Sequence, residues 1–234
     1  MELNIEIFAD GADLETMKRL NDDPIIKGLT TNPTLMRQSG IENYGQFCKS
    51  VLKFVTEKPI SFEVFADDFT EIFEQARAIS SWGDNVFVKV PVMNTKGETC
   101  YETVEKLSAQ GVKINATAVF TKEQIDNLVM ALNPNVMSNI SIFAGRIADA
   151  GFDPLHYVSY GVDKRKVLPN CKIIWASPRQ AYNIIEANKI GCDIITVTDD
   201  LIKKMSKFGY DLEKFSLDTV KMFFDDATKA GYEI

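Results

Sequence analysis

Lys89 sits in the stretch VFVKVP, residues 86 to 91, as the one charged side chain in an otherwise apolar run. Burial disfavours the ammonium form of a lysine and lowers its pKa by ~3–5 units in extreme cases. From an ordinary value of ~10.4, only about one lysine in ~2500 is neutral at pH 7, so a fall of ~3 units makes the free amine common. A free amine attacks a carbonyl carbon and forms a Schiff base. The plainer reading is a buried lysine paired with a carboxylate. This stretch alone supports both.

Polar residues recur at matching places in other apolar runs. Asp10 follows LNIEIFA, Thr30, Thr31 and Asn32 close IIKGLTTN, and Glu63 interrupts ISFEVF. Asn115 and Thr117 interrupt KINATAV, and Ser141 lies in NVMSNISI. Taken singly, each reads first as a strand-end cap or a turn residue. Recurrence in six runs is harder to assign to turns alone. Two arginines stand ready for an anion: Arg146 follows Gly145, and Arg179 lies two residues beyond Ser177. Guanidinium groups suit phosphate geometry, but a salt bridge, for example Arg146 with Asp149, explains them equally well. His156 is the only histidine, which excludes multi-histidine zinc sites. Acid–base work is left mainly to carboxylates, lysines, hydroxyls and bound water.

These residues need a scaffold that brings strand ends together. Continuous apolar runs at 3–9, 25–30, 60–65, 85–91, 113–119, 136–143, 172–176 and 193–198 predict strands buried on both faces. Amphipathic patterns at 41–56, 69–82, 97–110, 121–132 and 179–190 predict helices between them, with Pro154 and Pro169 bracketing one helix and a loop. Eight βα units in this length predict an α/β fold, a (β/α)8 barrel, in which strand ends gather on one catalytic face. A doubly wound open sheet is the alternative, since periodicity does not report closure. The expected organisation is a single domain over residues 1–234 with a helical extension from about 201. In that extension Leu217, Val220, Phe224 and Ala227 form an apolar stripe flanked by Met222 and Phe223. Packing on its own barrel is the first expectation for it, and packing on a neighbouring subunit the second.

Composition limits the function classes. The 234 residues are 45% hydrophobic and 25% charged, as in a packed globular protein. A net charge of −7 argues against a nucleic-acid binder. No apolar run approaches the ~18 residues of a membrane span. The N-terminus lacks the basic head and apolar core of a signal peptide. Cys48, Cys100, Cys171 and Cys192 are scattered without a CxxC pair, so reduced thiols in a cytoplasm are expected.

The segments FADGAD (8–13), GLTTNPT (28–34), FVKVP (87–91), NATAVF (115–120), FAGRI (143–147) and ASPR (176–179) occur in this order. Together they resemble the transaldolase family, in its small branch that includes the fructose-6-phosphate aldolases. GLTTNP and VKVP carry most of the specificity. The resemblance implies a (β/α)8 fold with a Schiff-base lysine on the fourth strand, Lys89. It implies Asp10 as the acid–base group, and Glu63 and Thr117 as holders of a catalytic water. Asn32, Asn115 and Ser141 would bind dihydroxyacetone hydroxyls, with Thr30 lining the site, and Arg146, Ser177 and Arg179 would bind phosphate. Phe143 and Glu63 match the transaldolases, where the aldolases carry Tyr and Gln. A tyrosine hydroxyl there could protonate the enamine; Phe143 offers no proton. The implied partners are sugar phosphates of the pentose phosphate pathway, with no metal or cofactor required, and a pentameric or decameric homo-oligomer is implied as well. Pro178 departs from the family's usual apolar residue and removes a backbone donor near the implied phosphate site.

Overall fold

The computed structural model describes residues 3–233 and contains eight parallel strands closed into a barrel in sequence order. They are β1 (Glu6–Asp10), β2 (Ile26–Thr30), β3 (Ile60–Glu63), β4 (Val86–Pro91), β5 (Ile114–Val119), β6 (Ser138–Ile142), β7 (Cys171–Trp175) and β8 (Ile194–Thr198). Closure is direct, because β1 pairs with both β2 and β8. The sequence is therefore a (β/α)8 barrel and not an open sheet. The strands are largely apolar because each is covered on both faces. Odd positions of β4, Phe87 and Lys89, face the barrel axis, and Val86, Val88 and Val90 face the helices.

The helices are α1 (Leu14–Asp22), α2 (Pro33–Gln38), α3 (Tyr44–Val51), α4 (Phe69–Ser80), α5 (Tyr101–Ala109), α6 (Lys122–Ala131), α7 (Ala144–Asp149), α8 (Pro154–Lys164), α9 (Tyr182–Lys189), α10 (Asp199–Lys204) and α11 (Leu212–Ala230). Side-chain caps punctuate them: Asp13, Asn32, Asn43, Asp68, Thr121, Asp153 and Asp211 each accept a backbone N–H of the first turn. Thr121 and Gln124 complete a reciprocal capping box. Pro154 opens α8 at the first helical position, where its missing N–H costs nothing.

Inside the barrel, Phe8, Ile174, Ala176 and Ile194 form a separate apolar plug. Its seat depends on Gly28: a Cβ there would lie 2.5 Å from Cε2 and Cζ of Phe8. The plug separates the two ends of the barrel. One end opens into a cavity of about 460 Å³ lined by the predicted polar residues. The other holds a cavity of about 370 Å³ lined by five charged residues, of which Glu6 and Lys172 are paired with each other.

The C-terminal stripe does not behave as first expected. No residue of α11 is buried, and Leu217, Val220, Met222, Phe223 and Phe224 are all exposed. The helix has an apolar stripe but does not lay it on its own barrel. α10 stays on the barrel through buried Leu201 and the linker through half-buried Phe208, which packs on the core; Gly209, at φ 75°, follows, and α11 begins beyond it.

Replacing Gly28 by alanine should cost about 1–3 kcal/mol through forced movement of the Phe8 ring. Differential scanning calorimetry should record a melting midpoint lowered by several degrees. An unchanged midpoint would show that the ring is not seated against Gly28.

Candidate active site

Lys89 is 8% exposed, on the axial face of β4 near its C-terminal end. Its ammonium group donates to the Thr31 carbonyl at 2.7 Å. Strand register places Glu63 of β3 on one side of it and Asn115 of β5 on the other. Asp10 closes β1 and is paired in register with Thr30 of β2 and Thr198 of β8. A parallel closed barrel thus brings together residues about eighty positions apart in the chain.

Asp10 is held from two sides. Thr30 donates its hydroxyl to one carboxylate oxygen at 2.8 Å, and the Asn32 amide donates to the other at 3.0 Å. Burial pushes the Asp10 carboxyl above its ordinary value, against the opposing pull of Lys89 and these two donors. Glu63 is also pushed up, first by burial and then by the charge of Asp10, while Lys89 pulls it down. Its carboxylate accepts no hydrogen bond among the described residues, whereas both oxygens of Asp10 do. The two acids therefore sit in different environments around one ammonium group.

Below them lies a satisfied polar layer. Asn115 donates to the Ser61 hydroxyl at 3.0 Å and accepts from Ser141 at 2.7 Å. Thr117, by contrast, keeps a buried hydroxyl with no partner among the described residues. Such an orphan in a concave site marks a place where a bound molecule or water completes the hydrogen bonding. The next residue, Ala118, takes φ 58° at an irregularity between β5 and β6. Among the described residues one other non-glycine, Ser177, also has positive φ, again 58°. Both line the same cavity. Strained backbone concentrated at a mouth fits a functional site, where geometry is kept at a cost in stability.

The two arginines occupy the far rim with Ser177 and Pro178. Arg179 engages Asp149 through Nε at 3.0 Å and Nη2 at 2.5 Å. The salt bridge that the sequence offered to Arg146 is thus formed by Arg179. Arg146 lies with its guanidinium 5.8 Å from the Phe143 ring centre and has no carboxylate within salt-bridge distance among the described residues. Asp149 is held below the usual carboxylate range, chiefly by the Arg179 hydrogen bond. Gly145 opens this rim: a Cβ would fall 1.6 Å from the Ser177 carbonyl oxygen, so only glycine lets α7 approach that loop.

Of the twelve residues singled out from the sequence, eleven line the cavity, and Asn115 lies fully buried beneath it. Thr196 was missed. Its hydroxyl lies 2.5 Å from that of Thr30, and because Thr30 donates to Asp10, Thr196 is the donor in this pair. Alternation along β8 places Thr196 and Thr198 on one face, a signal available in ITVT. Tyr44 was missed as well: its hydroxyl touches both the N–H and the carbonyl of Glu63. A helical tyrosine nineteen positions away gives no sequence cue to that contact.

The raised carboxyl of Glu63 has a consequence for stability. A folded-state value above the unfolded one favours the fold at low pH, and that advantage is lost as pH rises through the raised value. Glu63→Gln keeps the shape and removes the titration. Its melting midpoint should match the wild type near pH 4 and exceed it at pH 8. Equal midpoints at both pH values would contradict the burial account.

The chain is similar to several known proteins. A "Probable transaldolase" of Nitrosopumilus maritimus is 32% identical over 226 residues, covering 93% of this chain and 96% of that protein. Another of Streptococcus equi subsp. zooepidemicus is 33% identical over 207 residues, covering 87% and 91%. A crystal structure of a dihydrodipicolinate synthase family protein from Coccidioides immitis shares the fold, with a TM-score of 0.63 at 15% identity over 100% of this chain and 80% of that one. The family described as Transaldolase/Fructose-6-phosphate aldolase matches residues 7–234. With that match over nearly its whole length, the chain belongs to the transaldolase/fructose-6-phosphate aldolase family.

Proposed function

We propose that the protein is a transaldolase that moves a dihydroxyacetone unit from a ketose phosphate to an aldose phosphate through a Schiff base on Lys89. The observation that carries this reading is the convergence of one lysine and two differently held carboxylates in a single cavity. In the reaction the amine, as free base, attacks C2 of a donor such as fructose 6-phosphate or sedoheptulose 7-phosphate. Water held between Glu63 and the unpartnered Thr117 hydroxyl carries protons as the carbinolamine loses water to give the iminium. Asp10 takes the proton of the C4 hydroxyl, the C3–C4 electron pair moves into the iminium, and an aldehyde phosphate leaves. Asp10 is suited to this because burial raises its proton affinity while Thr30 and Asn32 fix its lone pairs. The remaining enamine adds to the acceptor aldehyde, and the steps reverse.

Asn32, Asn115 and Ser141 are assigned to the dihydroxyacetone hydroxyls. Arg146, Ser177 and Arg179 are assigned to the phosphate, Arg146 as the free guanidinium and Arg179 as one oriented by Asp149. Pro178 leaves that loop one backbone donor short, which puts more of the phosphate contact on the side chains. Transfer is favoured over simple cleavage by Phe143. Its ring packs 5.7 Å from that of Phe120 and presents no hydroxyl to the enamine. No step calls for a metal or cofactor, the setting is a cytoplasmic pentose phosphate pathway, and one barrel domain carries the whole site.

The exposed face of α11 supports assembly with further copies of the chain, as a pentamer or decamer. Among the described residues no helix is long and apolar enough to cross a membrane, so a lipid bilayer does not account for that face by a spanning helix.

Two outcomes are expected. Coupled assay with fructose 6-phosphate should show turnover only when an acceptor such as erythrose 4-phosphate is added. Lys89→Ala and Lys89→Arg should each lose at least about 10³-fold in kcat, since neither supplies a free amine. Rapid release of dihydroxyacetone without acceptor would make the protein an aldolase instead. Separately, truncation after Gly209 should shift sedimentation to smaller species while the barrel keeps its circular dichroism; an unchanged sedimentation coefficient would contradict assembly through α11.

A further inference from the structure

Among parallel strands, the N–H and carbonyl of every second residue face the same neighbour. On β3 these are Ser61 and Glu63, facing β2. Ser61 is satisfied normally: its carbonyl accepts the Thr31 N–H at 3.3 Å and the Thr31 hydroxyl at 3.1 Å. Beyond that point β2 leaves the sheet, because Asn32 caps α2. Glu63 is therefore left with two backbone groups and no strand beside them. A single phenol fills the gap. The Tyr44 hydroxyl donates to the Glu63 carbonyl at 2.9 Å and accepts the Glu63 N–H at 2.7 Å. Its ring is wedged edge-on against Phe65, with centres 4.5 Å apart, and lies 6.2 Å from Trp82. Burial drives the phenol's proton affinity far up, so it stays both donor and acceptor.

We infer that Tyr44 is a positioning residue for the proposed reaction: it stands in for the missing strand and fixes the end of β3, so that the Glu63 carboxylate faces Lys89. The inference rests on the reading of Glu63 as a holder of catalytic water and extends it to a residue outside the cavity. Hydroxyl loss at position 44 frees the last residue of β3 without touching Asp10, whose supports come from Thr30 and Asn32. The slowed step should be imine formation, not carbon–carbon cleavage.

The test is Tyr44→Phe, which keeps the ring packing. The Glu63 carboxyl is followed by carbon NMR of ¹³C-glutamate protein, with its signal identified by its absence in Glu63→Gln. Its titration midpoint should move by about half a pH unit or more. Borohydride trapping of the fructose 6-phosphate imine should slow about tenfold, the scale expected of a small misplacement. Incorporating 4-aminophenylalanine at the same position, which restores a donor but only a weak acceptor, should recover part of both and leave each measurably short of wild type. A folded Tyr44→Phe protein with an unchanged Glu63 titration overturns the inference. If the titration moves while trapping keeps its rate, Tyr44 does place Glu63, and the water-holding reading of Glu63 is what fails. Should Tyr44→Phe not fold, the aminophenylalanine protein decides alone: a titration identical to wild type overturns the inference, and an intermediate shift supports it.

Discussion

One ammonium group shares a poorly hydrated barrel mouth with two carboxylates, and the rest of the site is arranged around that fact. Removing charges from water costs several kcal/mol per ion unless opposite charges and hydrogen bonds offset it. Here the offset is unequal. Asp10 has Thr30, Asn32 and, behind Thr30, the hydroxyl of Thr196. Glu63 has the field of Lys89 and, among the described residues, no side-chain hydrogen bond, though its backbone is clamped. Similar acids in different surroundings are how one site keeps separate roles apart. The better-held carboxylate suits proton abstraction at a fixed substrate atom, and the freer one suits a mobile water.

The barrel provides this arrangement at a local cost in stability. Positive φ at Ala118 and Ser177, an unpartnered hydroxyl on Thr117 and two carboxyls pushed up by burial all lie around one cavity. At the opposite end Glu6 is paired with Lys172. Among the described residues Ser138 there also keeps a buried hydroxyl without a partner, but no strained non-glycine backbone accompanies it. Departures from local rules that concentrate in one place indicate where function constrains the chain.

Much of this was legible in the sequence because burial leaves a simple trace. Eight apolar runs alternating with amphipathic helical patterns read as strands covered on both sides, and Lys89 stands out against such a run. The polar residues at strand ends were legible for the same reason. Closure of the barrel was not, since an apolar run does not record which strand lies beside it. Tyr44 was hidden because its role depends on where β2 ends relative to β3, a matter of register. The pairing of Arg179 with Asp149 was hidden because it joins the loop after β7 to the end of α7, thirty residues away. The stripe on α11 was visible, but a stripe says only that something covers it, and the barrel of the same chain does not.

Covalent attachment of Lys89 to a keto sugar inside this mouth is the step on which the proposed function stands. Borohydride reduction in the presence of fructose 6-phosphate, followed by peptide mass mapping, would capture it. A dihydroxyacetone-sized adduct is expected on the peptide containing Lys89 and none on any other lysine. An unmodified Lys89 in a protein that turns over its substrates would contradict it.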